Sequence, residues 1–251
     1  MAYVVSFSNQ KGGVGKTTSC VNLAAYIALS GYKVLLVDLD SQANASSALG
    51  VFDKKVDNSI YTALCTGDIR PCIRKGANFD FVPSSRDLTG AELELKDKED
   101  REYVLKSVLS DVLDRYDYIF IDCAPSINLL LINALAASNG VIVPLQCEYF
   151  ALEGMNQLLN TVRLVKKHLN PTLEIDGVLL TMCMRNKLAI DVENNVRTLF
   201  KSAVFDTKIP RNIRLAESPS FAKTINNYDD KCAGALAYKA LAQEFISKHK
   251  E

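Results

Sequence analysis

The segment Asn9-Gln10-Lys11-Gly12-Gly13-Val14-Gly15-Lys16-Thr17-Thr18 restricts the fold of this chain more than any other, because of what flanks it. Tyr3 to Ser8, before it, is a short apolar run of β-forming residues; Thr17 to Ser30, after it, has helical spacing and closes at Gly31. A glycine-rich turn leading from a strand into a helix gathers backbone N–H groups and the positive end of the helix dipole at one point. Such a point holds phosphate. The glycines let the main chain approach closely, Lys16 would neutralise the β- and γ-phosphates, the Thr17 hydroxyl would ligate Mg²⁺, and Thr18 would add an α-phosphate contact. Gln10 stands where such loops usually carry glycine, and Lys11 follows it inside the loop.

The rest of the chain keeps alternating. Lys33 to Val37, ending in Asp38, reads as a buried strand a short turn beyond the helix, the spacing of a parallel crossover. Apolar runs at Phe79 to Pro83, Tyr118 to Asp122, Gly140 to Pro144 and Ile175 to Thr181 alternate with helical stretches near Asp100 to Arg115, Asn128 to Ala137, Leu152 to His168, Asp191 to Phe200 and Ala233 to Lys248. The pattern predicts an α/β fold: a doubly wound, mostly parallel sheet of the P-loop NTPase type with helices on both faces. Ligands of such sheets sit beyond the carboxyl ends of the strands, where Asn9, Asp38 and Asp122 fall. Asp38 and Asp40 put two carboxylates at one strand end near the phosphates, a place to handle water. No internal repeat, low-complexity tract or Pro/Ser linker interrupts the chain, so residues 1–251 read as a single domain, least regular from Leu39 to Ala77.

Composition narrows the partners. Lys plus Arg equals Asp plus Glu at 29 each, so no overall field draws the chain to nucleic acid or to an anionic membrane, and any DNA contact must come from a local patch. The seven cysteines include no CxxC pair and no zinc-site spacing, and no signal peptide precedes them; they read as reduced thiols of a cytoplasmic protein, not as a shared iron–sulfur ligand set. No apolar run reaches the roughly 18 residues that span a bilayer.

KGGVGKTT, Lys11 to Thr18, resembles the signature of the ParA/MinD family of deviant Walker-A ATPases, and the likeness covers nearly the whole chain. VLLVDLDSQAN (Val34 to Asn44) is similar to that family's switch I strand and loop, YIFIDCAP (Tyr118 to Pro125) to its Walker B strand and switch II, and PLQCEYFALEG (Pro144 to Gly154) to a further family segment. IPRNIRLAESPSFAKTI (Ile209 to Ile225) resembles the chromosome and plasmid partitioning branch in particular. The resemblance implies ATP and Mg²⁺ as cofactors, with Lys11, Gly12, Gly13, Val14, Gly15, Lys16, Thr17 and Thr18 around the phosphates and Pro210 and Asn212 bordering the adenine. It makes Lys11 the signature lysine, which reaches across a dimer interface to the partner subunit's phosphates and adds a second cation where charge spreads over the transferring phosphoryl group. It assigns the attacking water to Asp40 and the metal to Thr17, Asp38 and Asp122, both aspartates acting through water, and makes the loop stiffened by Pro125 a switch.

The partitioning branch binds duplex DNA without sequence preference as an ATP-dependent homodimer, and the matching positions are Arg185 and Arg214, with Lys223, Lys187 and Arg211 as further candidates. Met182 to Lys187 departs from the family's usual pattern around that first arginine. The function implied is an ATP-hydrolysing partitioning switch of slow intrinsic turnover that is cytoplasmic, associated with the nucleoid, and released from DNA when a ParB-type centromere-binding protein stimulates hydrolysis. The alternative is a MinD-like ATPase that positions a membrane or protein cargo without touching DNA. Ala240 to Glu251 lacks the basic, aromatic and strongly amphipathic anchor of that branch, so no stable membrane association is expected. The chain begins at its first strand, which leaves no room for a helix-turn-helix extension.

Overall fold

The structure, a computed structural model, describes residues 1–53, 56–148, 151–184 and 186–249, with residues 151–154 described by their backbone alone. The strands are β1 (Tyr3–Phe7), β2 (Val34–Leu39), β3 (Arg74–Lys75), β4 (Asp80–Val82), β5 (Tyr118–Cys123), β6 (Gly140–Gln146) and β7 (Glu174–Thr181), side by side in the order β3-β4-β2-β5-β1-β6-β7. Among the described residues every strand pairing is parallel except that of β3 with β4. The helices are α1 (Lys16–Leu29), α2 (Asn44–Ala48), α3 (Ile60–Thr66), α4 (Ala91–Leu95), α5 (Val104–Ser110), α6 (Leu129–Ala137), α7 (Ala151–His168), α8 (Lys187–Phe200), α9 (Ile213–Glu217), α10 (Ile225–Tyr228) and α11 (Ala233–Lys248). None of them is long and apolar enough to cross a membrane.

The strand sequences are apolar without alternation because both faces of the sheet are covered. In β5, Ile119, Ile121 and Cys123 enter a core closed by α3 to α8, while Tyr118 and Phe120 enter a second core closed by α1 and α9 to α11. β1 divides the same way, Val4 to the first side and Val5 and Phe7 to the second. In the second core Phe120 meets Phe7 and Phe245 edge-on, with ring centroids 5.8 Å apart in each pair. Each buried ring contributes about 1.5–3 kcal/mol through the apolar surface it removes from water.

All the strands expected from the sequence form, and two expected helices change shape. The stretch expected from Asp100 to Arg115 is one helix, α5, between short 3-10 turns at Arg101–Tyr103 and Leu113–Arg115. α8 starts at Lys187 instead of near Asp191, because the Asn186 side chain caps it by accepting from Ala189 N at 2.8 Å. The irregular stretch after β2 contains α2, α3 and β3, none of which the sequence pattern announced.

Both lateral edges of the sheet are closed. β3 is two charged residues long, and Lys75 Nζ turns back to Asp80 Oδ2 at 2.8 Å. Along the outer side of β7, Phe205 N donates to Val178 O at 3.1 Å and Ile209 N to Leu180 O at 2.9 Å.

Candidate functional site

The loop after β1 is tied down at both ends. Asn9 is buried; its Nδ2 donates to Pro144 O in β6 at 2.7 Å, and its Oδ1 accepts from Lys11 N at 3.0 Å. Further along, Thr181 Oγ1 donates to Val14 O at 2.7 Å, so the end of β7 holds the middle of the loop. Between these ties Gly13 and Gly15 have φ of 73° and 85°, left-handed conformations that favour glycine. Lys16 opens α1 and is almost wholly buried, with Nζ donating back to Lys11 O at 3.2 Å. Burial lowers its pKa, and the charges of Asp122, Cys123 and Asp40 oppose that shift.

The loop borders two adjoining cavities. The first, of about 690 Å³, is lined by Gly12, Gly13, Lys16, Thr17, Asp40, Pro125 and Lys223 among others. The second, of about 550 Å³, lies against the start of α1 and is walled by Ile209, Pro210, Asn212, Leu215 and Tyr238, with Gly15, Thr18 and Met182 common to both. A polar cleft continuous with a mostly apolar one suits a charged chain joined to a flat ring system. Asn212 Oδ1 accepts from Arg214 N at 2.9 Å as the cap of α9, which leaves its Nδ2 as the group free to donate to a ligand.

Strand register brings the carboxylates together. Asp38 in β2 lies directly opposite Asp122 in β5. Asp38 is fully buried and its oxygens are engaged: Oδ2 accepts from Ser46 N at 2.8 Å and from Ser46 Oγ at 2.6 Å, and Oδ1 from Asp40 N at 3.2 Å. Ser46 Oγ also accepts from Ser84 N at 2.8 Å, so this one serine joins α2, β2 and the segment after β4. Burial pushes the Asp38 pKa up to about 6 against the Ser46 and Asp40 hydrogen bonds. Asp40 accepts from Gln42 N at 2.9 Å through Oδ1 and faces the polar cleft. Asp122 differs from both. It is fully buried, the Thr17 hydroxyl approaches it, and neither carboxylate oxygen completes a hydrogen bond. Burial first, and then the charge of Asp38, hold its pKa well above the carboxylate range.

A buried carboxylate without a completed hydrogen bond, beside the hydroxyl of Thr17, which with Lys16 lines the cleft, fits a hard cation. Among the described residues no group of three or more His, Cys, Asp or Glu side chains gathers for a metal. Thr17 and Asp122 therefore suit an ion that keeps waters and shares phosphate oxygens, as Mg²⁺ does, rather than one held by protein ligands alone.

The structure places the other sequence candidates unevenly. Lys11 Nζ is paired with Glu148 Oε2 at 2.6 Å on the cleft's rim. Arg214 is half-exposed on α9 and already paired, with Glu217 at 3.0 Å and Asp229 at 3.5 Å. Lys223 is exposed on the wall of the phosphate-loop cleft, not on a separate face. Arg185 lies outside the described residues. Sequence reasoning did not single out Ser46, Thr181 or Glu148, whose bonding partners are not adjacent in sequence.

An AAA domain family model, AAA_31, matches residues 2–175. The chain is 50% identical to the sporulation initiation inhibitor protein Soj of Bacillus subtilis (strain 168), over 97% of this chain and 98% of that one. It is 48% identical to the chromosome-partitioning ATPase Soj of Treponema pallidum (strain Nichols), over 99% and 98%. Among solved structures, that of cobyrinic acid a,c-diamide synthase from Mycobacterium smegmatis with bound ADP and magnesium superposes with a TM-score of 0.88 at 34% identity, covering 100% of this chain and 96% of the other. With a family model over most of its length and about half identity to two Soj proteins from end to end, one of them named a chromosome-partitioning ATPase, the chain belongs to the ParA/Soj family of partitioning ATPases.

Proposed function

We propose that this chain is a Mg-ATP-dependent partitioning switch: it closes as a homodimer around ATP, binds duplex DNA without sequence preference, and is released when a ParB-type partner stimulates hydrolysis. The observation that carries the reading is the partnerless Asp122 beside Thr17 under a glycine loop that buries Lys16. In this reading Gly12 to Thr18 surround the phosphates, and Lys16 exchanges Lys11 O for phosphate oxygens. The base occupies the apolar cavity against Pro210 and Asn212. Thr17, and Asp122 through water, would hold Mg²⁺, which would neutralise phosphate charge there. Asp38 holds the Asp40 loop in place through Ser46, and Asp40, with Oδ2 free of backbone bonds, orients the water. Lys11 leaves Glu148 to reach the partner subunit's phosphates, which ties turnover to dimerisation. Arg214, Lys223 and Arg185 contribute the DNA contacts, doubled in the dimer, so a chain of zero net charge gains avidity from a small patch. Slow basal turnover and association with the nucleoid follow from the same cycle.

The test is binding to random-sequence duplex DNA and to anionic vesicles with ATP, ADP or no nucleotide, on the parent, Lys16→Ala and Asp40→Ala. The expected pattern is ATP-dependent, salt-sensitive DNA binding that Lys16→Ala abolishes, and that Asp40→Ala keeps while hydrolysis is lost. ATP-dependent vesicle binding with no DNA binding would replace this reading with a MinD-like one. Hydrolysis at the parental rate in Asp40→Ala would remove that residue from the chemistry.

A further inference from the structure

Beside the nucleotide cleft, the ends of β6 and β7 bring two cysteines together, and the cause can be followed residue by residue. Along β6, Val141, Val143 and Leu145 enter the first core, and Cys147 follows in the same alternation. Along β7, Val178 and Leu180 enter that core, and a regular strand would send Met182 there next. Met182 instead has φ of 49°, a left-handed conformation that a side-chain-bearing residue adopts only when its surroundings impose it. Its side chain turns to the loop, with Cε 3.9 Å from where a Cβ on Gly15 would stand. That turn returns Cys183 to the first core, just beyond the last paired residues Gln146 and Thr181. The two residues pack at the same core, each thiol influences the ionisation of the other, and both are free. Cys147 stands one residue past Gln146 and Cys183 two past Thr181, so the pair is diagonal across strands about 4.8 Å apart, which for regular strands gives a Cα separation of roughly 6 Å, inside the roughly 4.4–6.8 Å that a disulfide accepts.

The surroundings favour reaction. Hydrogen bonding from Cys183 holds the Cys147 thiol below its ordinary pKa despite burial, and Lys208 and Arg197 act in the same sense against Glu193. Both cations are paired with that glutamate, at 2.9 and 3.0 Å. Cys183 is only partly buried, which leaves a small oxidant a way in.

We propose that Cys147 and Cys183 form a reversible disulfide site on which hydrogen peroxide acts. The Cys147 thiolate attacks one peroxide oxygen; the O–O bond breaks, Cys147 becomes a sulfenic acid, and the departing hydroxide takes up the thiol proton as water. The Cys183 sulfur then displaces the sulfenic hydroxyl, the S–S bond forms, and a second water leaves. Two electrons pass from the thiols to the peroxide, and a dithiol returns them. The bond joins the residue preceding Glu148, which holds Lys11, to a residue whose N–H and C=O bond Ile209 and Arg211 at the rim of the apolar cavity. Oxidation therefore stiffens the cavity rim and slows nucleotide exchange, a consequence that rests on the nucleotide reading above; the disulfide does not.

The experiment treats the reduced full chain with stoichiometric hydrogen peroxide, caps the remaining thiols with N-ethylmaleimide, and reads the digest by mass spectrometry before and after dithiothreitol. The expected product is a linked Cys147–Cys183 peptide, dissolved by dithiothreitol, retained in Cys65→Ser and Cys232→Ser, and absent from a Cys183→Ser variant that melts cooperatively. Capping of both cysteines in undiminished yield after peroxide overturns the proposal. A fluorescent ADP analogue provides the second readout: several-fold slower release from the oxidised chain, restored by dithiothreitol, supports the consequence, and an unchanged rate overturns it. Failure of the analogue to bind the reduced chain counts against the nucleotide reading, and the linked peptide then decides the disulfide alone.

Discussion

At the end of β5 a carboxylate sits wholly buried with neither oxygen in a completed hydrogen bond, facing a second buried carboxylate on the neighbouring strand. An uncompensated buried polar group costs about 1–3 kcal/mol, and more when charged, so the fold is less stable at Asp122 than it need be. Asp122→Asn should raise the melting temperature of the nucleotide-free protein and remove the further rise that Mg-ADP gives the parent. A calorimetric scan with and without Mg-ADP decides it, and a variant that melts lower when free would show that the carboxylate is compensated. Ser46 carries the opposite role. Its hydroxyl donates to Asp38 and accepts from Ser84 N, so Ser46→Ala removes one of the two bonds to Asp38 Oδ2, leaving that from Ser46 N, and strands the Ser84 backbone donor. A loss of about 2–4 kcal/mol in urea denaturation is expected, from one charged and one neutral hydrogen bond.

At the scale of elements, the sequence was most legible where burial is two-sided. β1, β2, β5, β6 and β7 are mostly apolar and do not alternate because helices cover both faces of the sheet, and that same pattern located Asp38 and Asp122 at strand ends. The phosphate loop was legible because its glycines, lysines and threonines stand in one segment. What could not be read were short elements: β3, α2, α3, α4, α9 and α10, seven residues or fewer each. Helices that short have no periodicity to detect and persist through tertiary bonds, such as Ser46 to Asp38 and Ile225 N to Asn22 Oδ1 at 2.8 Å. Glu148 and Thr181 escaped notice for a related reason: their partners, Lys11 and Val14, are far away in sequence.

The end of α11 gives the element scale a pH dependence. His249 Nε2 lies 3.3 Å from Asp176 Oδ1, and Nδ1 lies 2.8 Å from Phe245 O. Burial works against the charged ring, but the bonds to Asp176 and Phe245 O outweigh it, and the pKa is raised above the usual 6.5. A raised pKa in the folded state means that the folded chain binds the proton more tightly, so this stabilisation is full below about pH 6.5 and is lost as pH rises through the folded value. The melting temperature of the parent should exceed that of His249→Gln at pH 6 by more than it does at pH 8.5. Equal differences at the two pH values would show that the imidazole stays neutral.

For the whole molecule, charge balance bears on the proposed contact with DNA. With 29 cationic and 29 anionic side chains there is no general attraction, and Arg214 is neutralised locally by Glu217 and Asp229. If Arg214 contacts phosphate, Glu217→Gln should tighten ATP-dependent DNA binding, and Arg214→Ala should weaken it while reducing the salt dependence by about one phosphate contact. Fluorescence anisotropy over a salt series measures both, and an unchanged slope in Arg214→Ala would place the contact elsewhere.

The closed edges of the sheet bear on what larger assemblies this chain can build. Strand addition needs a row of unpaired N–H and C=O groups, and here one end of the sheet stops at two charged residues while the other is bonded by the segment preceding Ile209. A filament of folded subunits must therefore be stacked through helices, loops and ligand-bearing clefts. Its growth would answer to nucleotide and salt, and disassembly would leave each subunit's backbone hydrogen bonds intact.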